Sequence, residues 1–580
     1  MLTSIRSRLG LTLVLAPVAG QFLVVFFLGV NTPVADEFFH VRFVQLLRQG
    51  SGWLPAVWMQ HNEHRIVPVK LTMALLAPFV GWNLKAEMYV SAVLAGLTVL
   101  GLWRLYRQAG GKDLLLFAPV AWLYCNLSQY ENMLYGLLMC HYFTAAGAVW
   151  ALVFLDRRSR SGLVLAILCG LVASLSIVNG VLVWPLGLFL LLARRERLAR
   201  TLTWSGAGAA TAFLYFATFT TPQGLATMHV TPGDLPRMAR YALAALGSPL
   251  AAGSIPWSAV TAGALLLLAA ALGLRWIRQG RDRVREEAPL GSLVLFGLLS
   301  CAVIAAGRAL TGVPALESRY VAYTALAFAG VYLLVSRDAE SSGESPLRSP
   351  RLAAVLALLI PGLIAADVQG LRDAQLWRLT RLREQFLLQT YDRQPDAVFG
   401  DPAFVRQLRA SMAPYLRAER LTAFAEPQHL LLLTRSDERE AVGPVLPSDP
   451  IELRLVCPVD VLRDIAVTLS REGPPDPSNV SVSVWSGGRR LAVRDLPVSA
   501  LASGWAGWVP LTLAEPLRGC QGRELILRIE SRDATPATRI TLWTYPLYYD
   551  GEARHGSQPL APGRSPGLLL NNAYYLEPGT

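Results

Sequence analysis

Two acidic residues side by side, Asp36 and Glu37, follow directly on the first long apolar stretch, in the run Asn31-Thr-Pro-Val-Ala-Asp36-Glu37-Phe-Phe-His40. Successive side chains on one backbone cannot aim at the same point. One carboxylate can therefore face a substrate, as the base for a hydroxyl, while its neighbour holds a metal, a base or water. Taken alone, the motif reads equally well as a solvated loop or an acid-capped helix start. A second run, Trp58-Met-Gln60-His61-Asn62-Glu63-His64-Arg65, follows it. His61 and His64, three apart, would share a helical face, and with Glu63 and Asp36 they offer ligands to a divalent metal. Neither His-Glu-x-x-His nor another fixed ligand pattern is present, so no metal is required. A phosphate site built on Arg65, with a histidine as second donor, suits the run better. The bland reading is a polar interfacial helix.

Three more clusters carry the same residue types: Gln129-Tyr130-Glu131-Asn132, Asn179-Gly180 ahead of Trp184-Pro185, and Arg308 with Glu317-Ser318-Arg319-Tyr320. Each by itself could be a capped turn in an aromatic belt. Arg319, at a helix start, is placed to fork onto a phosphate. For Arg308 and Arg319 the alternative is snorkelling, or pairing with Glu317.

The elements that must position these groups are apolar. Of the 580 residues 53% are hydrophobic and 16% charged, a balance for an integral membrane protein, not a soluble one. Windows of about 20 apolar residues place about eleven transmembrane helices, near 9–30, 86–103, 113–130, 134–155, 162–178, 181–193, 202–220, 256–274, 291–307, 319–336 and 352–366. The net charge of +12 comes from arginines gathered in short loops: Arg6/Arg8, Arg104/Arg107/Lys112, Arg157/Arg158/Arg160, Arg194/Arg195/Arg197/Arg200, Arg275/Arg278/Arg281/Arg283/Arg285 and Arg337/Arg348/Arg351. All six fit one threading with these loops cytoplasmic. That places every motif above at the opposite face, and residues 31–85 in a long first outer loop whose run from Ile66 to Trp82 is interfacial or re-entrant. No basic stripe interleaved with aromatics occurs on a soluble segment, which excludes nucleic acid as a partner. Arg6/Arg8 and the long apolar run after them read as an uncleaved anchor, not a signal peptide.

The composition then changes. Residues 1–368 form the membrane domain, 369–449 an α-helical linker region, 450–550 a β-sandwich or jelly roll and 551–580 a C-terminal tail. Strand-length runs with turn punctuation lie at 451–456, 464–469, 480–485, 508–513, 524–529 and 539–545. Cys457 and Cys520 either form a disulfide in an oxidising compartment or are unrelated buried thiols. Trp485, Trp505 and Trp508 would stack on an acceptor glycan if exposed, though core burial is the commoner fate of such residues.

On Asp36-Glu37, the Asn62-Glu63-His64-Arg65 run, the Glu131-Asn132 turn and Ser318-Arg319-Tyr320, the membrane region resembles the GT-C glycosyltransferases, and more closely their bacterial members that depend on polyprenyl-phosphate sugars. There is no Trp-Trp-Asp signature of oligosaccharyltransferase catalytic subunits, which disfavours transfer of a preassembled glycan to asparagine. The resemblance implies transfer of a hexosyl or pentosyl group from a polyprenyl-phosphate donor to a glycan or lipid acceptor, with inversion. It would occur at the periplasmic face of a bacterial inner membrane, with the C-terminal domain on that side. It further implies Asp36 as base with Glu37 as substitute, Arg65, Arg319 and Arg308 for the donor phosphate, and His61, Asn62, Glu63, His64, Glu131, Asn132, Asn179 and Tyr320 around the substrates. Two other classes fit the same pattern less well. A flippase of lipid-linked glycans predicts ionisable residues at mid-helix, and an envelope-assembly scaffold does not need so many spans.

Overall fold

The computed structural model describes residues 2–221, 230–341, 349–392, 396–426, 430–432, 440–445, 449–457, 461–473, 477–501, 503, 507–531, 533, 539–545, 551–555, 558–559, 565–566 and 568–570. Trp505 and Arg348 lie outside the described residues. The chain forms two compact units, one of Met1–Gly29 with Ala35–Leu376, the other of Val30–Val34 with Trp377–Thr580. The boundary expected at 368 thus falls further along, inside the helix Pro350–Gln389.

The first unit is helical, and each of the eleven apolar stretches contributes a helix. Seven helices among the described residues are long and apolar enough to cross a membrane: Arg6–Leu28, Leu84–Gln108, Gly136–Leu155, Ile255–Gln279, Arg281–Arg308, Ser318–Ser341 and Pro350–Gln389. The remaining stretches do not qualify, for identifiable reasons. Leu114–Tyr124 ends after 11 residues, because the Asn126 carboxamide accepts the Ser128 N–H at 2.7 Å and diverts the backbone into a 3₁₀ turn. Arg160–Ser174 and Val178–Ala193 are also short. Leu198–Phe216 is long enough, but Thr201, Thr203, Ser205 and Gly206 dilute its apolarity. Helix starts carry the expected caps: Asn83 accepts from Lys85 N and Ala86 N at 3.0 and 3.2 Å, and Asp113 accepts from Leu115 N at 2.8 Å. Helices approach closely where one has glycine, since a Cβ on Gly147 would stand 2.8 Å from the Cys169 carbonyl oxygen.

The arginine-rich loops are tied to one another. Arg6 pairs with Asp113, Glu340 accepts from Lys112 N at 2.8 Å and Asp113 N at 3.1 Å, and Arg275 and Arg283 both pair with Asp338. The fully enclosed Glu287 carboxylate takes Arg275 and Arg283 at 2.6 Å and Arg337 at 3.2 Å. Arg194 reaches Asp156 at 2.8 Å and Arg158 reaches Glu196 at 2.9 Å. Charges at the ends of different helices neutralise each other, as groups that must leave the apolar slab together would.

Between the first two long helices the chain is largely helical, with Ala35–His40, Val41–Gln49, Trp53–Trp58 and Val67–Val80. Val67–Val80, at 14 residues, spans about 21 Å and is too short for a hydrocarbon core of about 30 Å. The Lys70 ammonium ties it to the preceding helix by donating to the Ala56 and Met59 carbonyls at 2.8 and 2.7 Å. The first residues of this segment, Val30–Val34, belong to the second unit, where the buried Asn31 amide donates to Thr422 O at 3.3 Å and Glu426 Oε1 at 3.2 Å.

The second unit is a two-sheet antiparallel sandwich with helical segments ahead of it. One sheet runs Leu430–Leu432, Leu568–Leu570, Val461–Glu472, Arg539–Tyr545, Ser565–Pro566, with Glu440–Val442 and Gly507–Arg518 pairing at its side. The other runs Gln558–Pro559, Gly551–His555, Ile451–Val456, Glu524–Ser531, Asn479–Ser486, Arg489–Pro497. Alternating residues of both sheets fill one core, including Ile451, Leu453, Val482, Leu527, Ile465, Val467 and Leu542. Two expectations are corrected here. The 369–449 region is not all helical, since it supplies the strands at 430–432 and 440–442, and 551–580 is not a separate tail, since it supplies four strands. Apart from Gly551–His555, these strands have only two or three residues, too few for alternation to show, and pairing such as Leu568↔Val467 defines them. Trp485 is half-buried, with its indole N–H on Ser483 Oγ at 3.0 Å.

Cys457 and Cys520 form a disulfide with Cα atoms 5.8 Å apart, while Cys125, Cys140, Cys169 and Cys301 are free thiols. The bridge closes a sequence separation of 63 residues, for which loop-closure entropy gives about 4 kcal/mol. Replacing both cysteines by alanine is expected to lower the thermal midpoint of the β-unit transition in the full-length protein by calorimetry. An unchanged midpoint would mean the bridge adds nothing to a core that is already sufficient.

Candidate functional site

The helical unit contains a half-open cavity of about 280 Å³ lined by Asp36, His61, Asn62, Glu63, His64, His141, Asn179, Arg308, Arg319, Tyr320 and Tyr323, with Leu137, Leu138, Ile177, Val303 and Ile304 as its apolar wall. Sequence-distant segments around residues 36, 61–64, 137–141, 177–179, 303–308 and 319–323 meet there, and the second of them is a turn. His61 and His64 exchange both backbone hydrogen bonds at 2.9 and 2.8 Å, around Asn62 with φ +50°. The helical face expected for the two histidines is therefore replaced by a reverse turn, because Asn tolerates the left-handed conformation that reverses the chain. The turn aims the Asn62 amide at Asp36 Oδ2, 3.0 Å away. His61 Nε2 lies 3.6 Å from the same oxygen, a polar contact longer than a formed hydrogen bond. The His61 ring, with the Asn62 amide, holds the Asp36 carboxyl below its ordinary value against burial, which acts the other way. Asp36 is thus an ionised carboxylate on the cavity wall.

Two guanidiniums share the cavity. Arg308 pairs with Glu63, which also has His64 Nε2 at 3.6 Å. Burial pushes His64 down to about 3, so its ring is neutral, and its Nδ1 faces the Val178 N–H at 3.5 Å. Arg319 pairs with Glu317 at 2.8 Å and lies over the Tyr320 ring, 5.8 Å from its centroid. The Glu131-Asn132 turn sets this segment in place: Glu131 N donates to Ser318 Oγ at 3.1 Å and the Asn132 amide donates to Arg319 O at 3.1 Å. Asn179, on the opposite helix connection, donates to Ser300 O at 3.3 Å.

Four sequence candidates do not line this cavity: Asn132, which holds the Arg319 segment in place, and Glu37, Arg65 and Glu131. Glu37 is buried, 1% exposed, and its Oε1 accepts the Leu137 N–H at 3.2 Å. It braces the turn at Gly136, where an added Cβ would meet Glu87 Oε2 at 2.7 Å and Glu37 Oε1 at 3.2 Å. The adjacent carboxylates have therefore separated, one to the cavity and one to the scaffold. Arg65 is 2% exposed and donates to Trp58 O and Thr218 Oγ1, both at 2.8 Å. Its guanidinium pins the chain on either side of the His61–His64 turn, so a phosphate in the cavity does not meet it. Glu131 lines a second, smaller hollow with Glu317 and Asp373. The sequence reading missed His141 and Tyr323, both in apolar helices. Their only signal is a polar residue recurring on the inward face of such a helix. Among the described residues no three His, Cys, Asp or Glu side chains stand close enough to hold a metal ion. Asp36 with His61 would supply two ligands.

A carboxylate able to take a proton, two cations able to receive an anion and an apolar wall together suit displacement of an anionic leaving group by a hydroxyl.

No protein-family model matches the chain, and no curated protein matches it. Among solved structures, the archaeal oligosaccharyltransferase AglB from Archaeoglobus fulgidus, in complex with an inhibitory peptide and a dolichol-phosphate, is similar at a TM-score of 0.37 and 11% identity, over 64% of this chain and 58% of that one. The apo form of the Archaeoglobus fulgidus oligosaccharyltransferase gives 0.35 and 12%, over 68% and 59%. Arabinosyltransferase EmbB from Mycobacterium smegmatis gives 0.33 and 11%, over 94% and 65%. In each case the chain spans less than two thirds of the other protein's length.

Proposed function

We propose that the protein is a membrane glycosyltransferase that moves a sugar from a polyprenyl-phosphate donor to a hydroxyl of an envelope glycan or lipid. The observation that carries this reading is the pairing, on one cavity, of the ionised Asp36 with Arg308 and Arg319. In the reaction the acceptor oxygen bonds to the anomeric carbon, the carbon–oxygen bond to phosphate breaks, Asp36 takes the hydroxyl proton and polyprenyl phosphate leaves. A single displacement inverts the anomeric centre. The transition state has oxocarbenium character, so the acceptor hydroxyl grows acidic as it bonds, and a late, acidic carboxylate suffices to take its proton. Arg319 and Arg308 stabilise the charge that collects on the leaving phosphate.

The donor's lipid tail must stay in the bilayer while its sugar reaches water. The arginine-rich loops argue for a cytoplasmic position at the other end of the helices, which makes this cavity periplasmic in a bacterial inner membrane. The Cys457–Cys520 disulfide supports an oxidising compartment for the β-sandwich. The sequence resemblance to GT-C enzymes points the same way.

The test is release of polyprenyl phosphate from a panel of polyprenyl-phosphate sugars by the purified protein, with cell-envelope glycan as acceptor. Release from at least one donor, dependent on acceptor, is expected. Absence of release from every donor would reject the reading in favour of transport of lipid-linked glycans.

A further inference from the structure

We infer that His141 donates a hydrogen bond to the phosphate of the donor, beside Arg319, and so holds the leaving group; this rests on the transfer reaction proposed above. His141 is the one basic residue of the helix Met139–Leu155, and it is 7% exposed. Its ring forms part of the cavity wall together with Arg319. The ring packs against Tyr323, with ring centroids 5.4 Å apart and planes inclined at 44°. The enclosed Nδ1 has no hydrogen-bond partner. Buried polar atoms in native proteins are nearly always paired, so the unpaired Nδ1 bears on which nitrogen carries the proton.

The tautomer follows from which vacancy costs less. A neutral imidazole carries one N–H and one lone pair. An N–H enclosed at Nδ1 with nothing to accept it would be an orphan donor, which native structures tolerate less readily than an unpaired acceptor. The proton therefore belongs on Nε2, and with Nδ1 enclosed Nε2 is the nitrogen that a bound molecule can reach. The cavity wall thus presents a donor next to a guanidinium. Two cavity carboxylates already have partners, Asp36 with Asn62 and Glu63 with Arg308 and His64. What suits a donor flanked by a cation is an oxygen acceptor bearing negative charge, and in the proposed reaction that is the phosphate.

The experiment compares binding of polyprenyl phosphate and of the uncharged polyprenol to the purified full-length protein. Wild type, His141→Leu and His141→Gln are measured, with thermal melting as a check on folding. Wild type should prefer the phosphate. His141→Leu should lose about 10- to 150-fold of that preference, the size expected for a hydrogen bond to a charged group, with polyprenol affinity unchanged. His141→Gln, whose amide N–H reaches a similar position, should stay within about threefold of wild type. If His141→Leu keeps the full preference, or if both ligands weaken together in it, His141 does not contact the phosphate. A wild type with no preference for phosphate would instead overturn the transfer reaction itself.

Discussion

Asp36→Asn is expected to lower kcat for glycosyl transfer by about 10³-fold while leaving KM for the donor nearly unchanged, within the range for loss of a positioned base. The amide has the shape of the carboxylate and can still meet Asn62, so the cavity keeps its form and only the proton acceptor is lost. The comparison variant is Glu37→Gln. Its amide oxygen can still accept the Leu137 N–H that Glu37 holds at 3.2 Å, so its effect should be confined to stability. The reverse outcome, full activity in Asp36→Asn and a 10³-fold loss in Glu37→Gln, would move the base to the buried carboxylate and discard the reading of the cavity. The pH profile adds a second check. Because the Asp36 carboxyl is held below its ordinary value, it stays ionised as pH falls from 7 to 5. The acid limb of kcat assigned to it should then appear only below about pH 4. His64, pushed down to about 3, stays neutral over the same window and should give no limb near the ordinary histidine value.

Arg319→Gln is expected to cost about 10²- to 10³-fold in kcat/KM for the donor, the loss typical when one charge-stabilising donor is removed. Arg65→Gln should behave differently. The Arg65 guanidinium is buried on Trp58 O and Thr218 Oγ1, so its removal leaves those acceptors unpaired and lowers the melting temperature. The folded fraction should keep its donor affinity. Arg319 differs because it lines the cavity, with Glu317 at 2.8 Å and its main-chain carbonyl held by Asn132 at 3.1 Å. Equal effects of the two substitutions on melting and on kcat/KM would remove the distinction between them. A small effect of Arg319→Gln beside a large one of Arg65→Gln would put the phosphate on Arg65, one of the three arginines expected from sequence to hold it.

The strands Ile451–Val456 and Arg539–Tyr545 begin and end where alternation and turn residues place them, because each is long enough for the period-two pattern to register. Leu568–Leu570 and Gln558–Pro559 are not legible in that way, since a two- or three-residue strand exists only by virtue of its partner. Among the helices, the apolar stretches are evident from composition, but their ends are decided locally. Asn126 stops one of them by accepting a backbone N–H, which a hydropathy window averages away.

The sequence by itself determined a polytopic helical membrane unit followed by a β-sandwich, and which segments carry the polar groups that chemistry needs, since both follow from composition and spacing along the chain. Only the tertiary structure decided which of those groups share a cavity. Asp36 and Glu37 are neighbours in sequence with the same chemistry, yet one lines the cavity and the other braces the Gly136 turn. Arg65 and Arg319 are both arginines beside polar motifs, yet only Arg319 has its guanidinium on the cavity wall. His141, unremarked inside an apolar helix, reaches the same wall. The direction of a side chain is set by the packing of helices distant in sequence and by the turn at His61–His64, and that information is not contained in any local stretch of the chain.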